Sequence, residues 1–431
     1  HNAEITGISI LDSAKTNLTG TYSVYPTQTP IIPDGRPAPP FVEPDTAYYN
    51  SGSRYVGDVA EILTVSSSYG YGLVKIKVFP LQYIPSSQQL VLFTSIRLRI
   101  EYQITGTDSL TGKMSTHQYQ GMLDYLSKTV ENFYNIENHG SVCKEIIDYD
   151  GSRPLNLFFL PGAGGDPIEY LIITNDELKP YFEPLAAWKM AKGIPALVVS
   201  TSQIELHYSG CDLAEKIFNY LKDVYNNWGK IYILLGGETE IVPSRSSTLT
   251  DGKYFLTDLY FSDVHKDLDT DYDWNWDNDN DFGEEDNYLD LFPDNFIGRA
   301  PVKNVEQTTE FIDKILNYEQ NTFDDYDNVT LIGADIGNCD DQSIPTMAWM
   351  NDAFNYIPDN LTSIRIFDDH SNWDGDFPLS QENVLKALGG TNNPFDNQHV
   401  IAHVDHSGFY CIGTSENCHR EKLTIAELDD I

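Results

Sequence analysis

Tyr170-Leu-Ile-Ile-Thr174 is a short apolar run without the polar alternation of a strand that has one wet face. It reads as a strand covered on both sides, as in a parallel sheet. A helix is expected from about Asp176 to Ala191, and then a second strand, Ala196-Leu-Val-Val199. Beyond it Leu213, Ile217, Leu221, Val224 and Trp228 recur at spacings of three and four, one apolar stripe along a helix. Ile231-Tyr-Ile-Leu-Leu235 is the third strand and ends at Gly236-Gly237. Strands that alternate with helices in this way build a parallel sheet through crossover connections.

The alternation resumes further on. Helices are expected over Val305 to Glu319, Thr346 to Tyr356 and Gln381 to Leu388, and strands over Val329 to Ile332, Ser363 to Phe367 and His399 to His403. The last segment, Leu423-Thr-Ile-Ala-Glu-Leu428, reads as a helix just begun, so another strand is expected after it. Before residue 150 the period is two. In Leu73 to Phe79, Lys75 and Lys77 alternate with Val74, Ile76 and Val78, and Ile96-Arg-Leu-Arg-Ile100 repeats the pattern. The turn-like Tyr83-Ile-Pro-Ser-Ser-Gln-Gln89 between them predicts a hairpin or meander. A Pro-rich stretch, Thr29 to Pro44, excludes helix and runs extended. The expected fold class is α/β, with a β-rich domain over residues 1–150, a first α/β subdomain over 151–300 with an acidic metal loop, and a second over 301–431 that is incomplete at its C-terminus.

Composition narrows the function. With 41% hydrophobic and 12% aromatic residues, the 431-residue chain can bury two or three cores. No run of about 18 apolar residues offers a membrane-spanning helix. The 65 acidic against 27 basic residues give a net charge of −38, which repels nucleic acid and anionic membrane alike. Five cysteines are too few for a disulfide scaffold, although Cys411 and Cys418 are spaced for a small disulfide loop. Sequons at Asn17, Asn328 and Asn360 suit an exported protein. The opening residues lack a basic segment followed by an apolar one, so a secretory signal is expected to have been removed.

Two segments carry groups suited to chemistry. In Ile401-Ala-His-Val-Asp-His-Ser-Gly408 a buried strand runs into His403, Asp405 and His406, at the strand end where open α/β sheets place their ligands. A general base needs an orienting partner, and backbone N–H groups nearby supply oxyanion donors. His403, His406, Cys411, Cys418 and His419 are zinc-ligand types, but their spacing fits no finger or ribbon, so zinc is not expected. Between Asp271 and Asp286, the carboxylates Asp277, Asp279, Asp281 and Glu284, with Gly283 among them, suit a calcium loop that is not an EF-hand. Neither a phosphate-binding glycine loop nor a serine elbow is present.

Taken in order, Tyr170-Leu-Ile-Ile-Thr-Asn, Trp188-Lys-Met-Ala-Lys-Gly-Ile-Pro, Tyr232-Ile-Leu-Leu-Gly-Gly-Glu-Thr-Glu-Ile-Val-Pro, Asp294-Asn-Phe-Ile-Gly-Arg-Ala-Pro and His403-Val-Asp-His-Ser-Gly resemble the landmarks of gingipain-type cysteine peptidases, relatives of the caspases. The β-rich start, with Val78-Phe-Pro-Leu-Gln-Tyr83, is similar to the propeptide region ahead of that catalytic domain. The resemblance implies a caspase- or gingipain-like fold and a secreted or cell-surface endopeptidase acting on proteins or peptides. His406 would be its general acid/base, Asp294 its orienting acid, and Ser407 and Gly408 would present the oxyanion N–H. It further implies a nucleophilic cysteine beyond Ile431, inactivity of residues 1–431 alone, and a partner in the chain's own C-terminal fragment. Ser407 stands where the family usually has glycine directly after the histidine. The competing class is a non-catalytic surface or structural binding protein that retains the fold; a zinc-dependent hydrolase is the third.

Overall fold

The computed structural model describes residues 3–28, 40–52, 57–69, 71–104, 113–133, 145–147, 156–161, 165–248, 254–264, 274–275, 282–283, 293–320, 328–334, 346–368, 373–389, 395, 398–404, 407–408, 411–413 and 422–424. Two compact units divide the chain, residues 1–27 with 42–320, and residues 28–41 with 321–431.

The first unit opens with five strands: β1 (Ala3–Asn17), β2 (Ala60–Ser68), β3 (Tyr71–Val78), β4 (Leu81–Ile84) and β5 (Gln89–Ile104). β2 and β3 form one antiparallel pair, while β5 lies between β1 and β4 in another sheet. The two alternating runs of the sequence, one in β3 and one in β5, are therefore not partners. Pro80 separates β3 from β4 and has no N–H with which to continue a ladder. The turn predicted at Tyr83–Gln89 is present as a single 3-10 turn, Pro85–Ser87, that links β4 to β5 and closes through Gln88 at φ 51°. This region also holds β6 (Lys113–Ser115), α1 (Thr116–Thr129) and β7 (Glu145–Ile147). At α1 the Ser115 hydroxyl accepts from the Gln118 N–H, and the Gln118 side chain accepts from the Ser115 N–H, a reciprocal cap.

The α/β part of this unit contains β8 (Tyr170–Thr174), α2 (Lys179–Ala191), β9 (Ala196–Ser200), α3 (Thr201–His207), α4 (Leu213–Trp228), β10 (Tyr232–Gly236), the hairpin β11 (Arg245–Thr248) and β12 (Tyr254–Thr257), the short α5 (Leu259–Ser262), β13 (Phe296–Ala300) and α6 (Val305–Gln320). Strand order is β13-β10-β8-β9, all parallel. The apolar stripe of α4 buries Ile217, Leu221, Val224 and Trp228 with Tyr220 against one face of the sheet. The other face packs on α2 and α6 through Phe182, Leu185 and Ile312. Each large side chain so buried contributes about 1.5–3 kcal/mol. α2 begins at Lys179, three residues later than Asp176, because the Asn175 side chain accepts from the Leu178 N–H and Pro180 opens the helix.

Two glycines close β10. A Cβ on Gly236 would lie 2.7 Å from the Phe182 ring, and Gly237, at φ 153°, would meet Ile241 at 2.5 Å. Arg299 of β13 locks the same turn, donating to the carbonyls of Gly237 (2.6 Å) and Val242 (2.7 Å) and to both carboxylate oxygens of Asp258 (2.7 Å each).

The second unit contains β14 (Asn328–Gly333), α7 (Thr346–Phe354), β15 (Thr362–Phe367), β16 (Phe377–Pro378), α8 (Gln381–Gly389) and β17 (Gln398–Val404). Its sheet, ordered β16-β15-β14-β17, is also parallel throughout, and β14 is buried along its whole length. That burial includes Asn328, so of the three sequons only Asn17 and Asn360 are exposed to a glycosylating enzyme. Beyond the sheet, β18 (Ser407–Gly408), β19 (Cys411–Gly413) and β20 (Lys422–Thr424) form a small antiparallel sheet. Leu423 and Thr424 are thus strand and not the expected helix start, with Ile412 opposite Leu423.

Candidate active site at the carboxyl edge of the second sheet

From β14 the chain adds β15 and then β16 on one side, and returns to place β17 on the other. The order therefore reverses between β14 and β17, and in an open parallel sheet the crevice at such a reversal is where ligands bind. The framework there is tightly bonded. The Ala334 N–H donates to the Val404 carbonyl at 3.1 Å, the Thr346 hydroxyl to the Ala334 carbonyl at 2.5 Å, and the Asp368 N–H to the Gly333 carbonyl at 3.0 Å. His403, half-buried, stands opposite Ile332 in the register.

Beyond Val404 the chain enters the segment singled out by the sequence. Asp405 and His406 lie outside the described residues, as do Cys418 and His419. Ser407 and Gly408, the expected oxyanion residues, have their backbone in β18, opposite Ile412 and Cys411 respectively. Asp368 drew no attention in the sequence, yet it follows β15 directly and is 8% exposed at this same carboxyl edge. An acid ending an apolar strand was the signal. A buried carboxylate there can orient an imidazole or receive a cationic group.

Asp294, the expected orienting acid, belongs to the first unit and precedes β13, at the amino end of that sheet. It is 3% exposed; its carboxylate accepts from the Val264 N–H at 2.9 Å, and its own N–H donates to the Ser262 carbonyl at 2.8 Å. These bonds brace the turn that leads into β13.

The acidic-loop candidates Asp277, Asp279, Asp281 and Glu284 lie outside the described residues. Their flanks are well held. The Gly283 N–H donates to the Trp274 carbonyl at 2.8 Å, Ser247 to the Gly283 carbonyl at 2.6 Å, and the Trp274 indole to Asp263 at 3.1 Å. Gly283 sits at φ 67°, with Trp274 2.6 Å from where a Cβ would be. Arg245 stacks on Phe282 at 3.9 Å and pairs with Asp212. Burial pushes the Asp212 carboxyl up, but the Arg245 hydrogen bonds and the Glu215 N–H outweigh it and hold it below the usual carboxylate range. Among the described residues no group of three or more His, Cys, Asp or Glu side chains is arranged to hold a metal, and no helix is long and apolar enough to cross a membrane.

These features define an α/β protein with a histidine-bearing segment leaving the reversal point of a parallel sheet. A sequence profile of peptidase family C25 matches residues 164–426, well over half of the chain, and the chain belongs to that family. Lys-gingipain of Porphyromonas gingivalis is 21% identical over 289 residues, 66% of this chain, and the Lys-gingipain of strain W83 is 22% identical over the same length. The match spans 14% of the length of these relatives. The complex of P. gingivalis RgpB pro- and mature domains superposes with a TM-score of 0.42 at 18% identity, covering 57% of this chain and 50% of that one. The Arg-specific cysteine proteinase gingipain R gives 0.42 at 17%, covering 61% and 51%.

Proposed function

We propose that the chain forms part of a secreted gingipain-like cysteine endopeptidase or its precursor, in which His406 is the general acid/base for hydrolysis of peptide bonds. The observation that carries the proposal is the topology. The segment holding His406 leaves β17 beside β14, at the order reversal of the second sheet, and lies inside the family match. In this reading a cysteine C-terminal to residue 431 attacks the peptide carbonyl as the thiolate. His406 takes up the thiol proton and returns it to the leaving amine, Asp294 orients the imidazole, and the N–H groups at Ser407 and Gly408 receive the developing oxyanion. Residues before the family match act as a propeptide, proteins or peptides are the substrates, and the chain's own C-terminal part is a partner. The excess of acidic residues and the exposed sequons at Asn17 and Asn360 support an exported protein. Calcium held by Asp277, Asp279, Asp281 and Glu284 steadies the acidic loop, a role favoured by the anchored flanks Trp274 and Gly283.

The test uses the full-length gene product and a thiol-reactive peptidyl probe, followed by peptide mapping. Labelling of one cysteine beyond residue 431, lost in His406→Ala, is the expected result. Absence of any labelled cysteine in a folded, processed protein would overturn the assignment and leave a binding role.

A further inference from the structure

The N-terminal region is anchored at the amino edge of the first sheet. There Lys230, 4% exposed, donates to the Ser68 hydroxyl (3.1 Å), with the rings of Tyr69 (4.9 Å), Tyr125 (4.9 Å) and Phe296 (4.7 Å) around its ammonium. The long β1–β5 ladder is different. β4 pairs with β5 only from Gln89 to Leu92, and among the described residues no strand covers the same edge of β5 from Ser95 to Ile104. Over that length the sheet is a two-stranded ribbon, and two strands alone are marginal in water. Its register puts Ile5, Ile8 and Ile10 opposite Tyr102, Ile100 and Leu98 on one face. Tyr102 is 62% exposed and Ile10 45%. None of the six joins a buried apolar cluster among the described residues.

The other face of β5 carries Arg97, Arg99 and Glu101, all exposed and without an ion pair among the described residues. On β1, Arg99 faces Ser9 and Glu101 faces Gly7, so neither has a charge opposite it within the ladder. An open strand edge of this length is a template for another strand. Read outward from Ile100 in both directions, Arg97-Leu-Arg-Ile-Glu-Tyr-Gln103 is complementary to itself. In an antiparallel pair of two copies about a two-fold axis at Ile100, Arg99 faces the partner's Glu101, Leu98 the partner's Tyr102 and Arg97 the partner's Gln103, each twice by symmetry. Centring the pair on Leu98 or Arg99 sets arginines against each other, and centring it on Glu101 sets two acids together. Directly opposite residues share a face, so the apolar faces of the two ribbons join into one. With two arginines against one glutamate, β5 is also net positive in a chain of net charge −38, so a contact here does not add to the repulsion between two acidic molecules.

We propose that the open edge of β5 is a self-association surface, at which two copies of the chain join antiparallel about Ile100 into one four-stranded sheet, β1-β5-β5-β1, with a continuous apolar face. The occupant is a second copy because the reversed sequence brings Glu101 to each Arg99 and opposes no charge on the edge with a like one. The pairing belongs to the N-terminal region whether or not the chain is a peptidase, so its failure leaves the functional proposal untouched.

Sedimentation velocity of the full chain tests it from about 1 to 100 µM, the concentrations at which small interfaces assemble. The wild type is expected to dimerise, and Arg99→Glu or Glu101→Arg to weaken the dimer at least about tenfold, since either change sets two like-charge pairs across the axis. Ser9 and Gly7 oppose these side chains within the ribbon, so the reversals leave the chain's own ladder in place. An equimolar mixture of the two single variants should form a heterodimer, because each supplies the charge that the other lacks. The double variant Arg99→Glu, Glu101→Arg should associate as the wild type does. A wild type that stays monomeric throughout, a dimer that survives either single reversal, or single variants that remain apart when mixed would each overturn the proposal; the first would leave the edge to a strand of another polypeptide.

Discussion

Glu319 joins the two helices that cover one face of the first sheet, and replacing it with glutamine should weaken that unit in a pH-dependent way. Its carboxylate, on α6, accepts from Lys189 Nζ (2.6 Å), Trp188 Nε1 (2.8 Å) and Lys192 Nζ (3.0 Å), all on or just beyond α2. Burial pushes the Glu319 carboxyl up, but the bonds from Lys189, Lys192 and Trp188 outweigh it and hold the group at about 2, against an ordinary 4.5. Converted at about 1.4 kcal/mol for each tenfold, the difference sets an upper bound of about 3 kcal/mol. Lys192 is 43% exposed, and solvent screening of its share brings the expected value to about 1–2 kcal/mol. Because the folded-state pKa is depressed, the contribution is complete above about pH 4.5 and disappears as pH falls towards 2. Urea unfolding followed by tryptophan emission, for wild type and Glu319→Gln at pH 7, 4 and 3, should show a gap that is largest at pH 7 and narrows with acid. A gap that stays constant down to pH 3, or none at pH 7, would refute the reasoning.

Three further outcomes are expected. Gly237→Ala combines φ 153° with a 2.5 Å approach to Ile241 and should cost about 2–4 kcal/mol in a denaturation midpoint. Asp294→Asn should lower peptide hydrolysis by the full-length enzyme at least about a hundredfold if the carboxylate orients His406; a lowered melting temperature with activity intact would instead assign it to the Val264 turn alone. Chelation of calcium should lower the melting temperature of the wild type, by the linkage of binding to folding, and leave an Asp279→Asn, Asp281→Asn variant unchanged; an equal response in both would exclude the acidic loop as the site.

Most strands of the parallel sheets were legible because they are compact apolar runs; β13, which carries Gly298 and Arg299, and the two-residue β16 were not anticipated. Tyr170–Thr174 and Ile231–Leu235 match β8 and β10 to within a residue or two, and the stripe from Leu213 to Trp228 is α4. Burial on both faces erases alternation, and that absence was itself the signal. Pairing was less legible. Alternation marked β3 and β5 as strands but carried no information about partners, and the break at Pro80 decided them. α1, within a stretch read as β-rich, is a helix whose Met122 and Leu126 are buried by tertiary packing. The histidine-rich motif stood out in the sequence because it follows an apolar run, and that run is β17. Asp368 stayed hidden because one acid at a strand end looks like any other until burial and the sheet order distinguish it.

The ring of Tyr69, Tyr125 and Phe296 around Lys230 has a consequence for where the protein begins as a physical object. The family match starts at residue 164, but the side chains that shelter Lys230 come from both sides of that boundary. A chain begun there would keep the cation and lose Ser68, Tyr69 and Tyr125. It would present to water a lysine and a phenylalanine whose surroundings had been arranged to exclude it. A border drawn at residue 164 therefore cuts through the packing around Lys230.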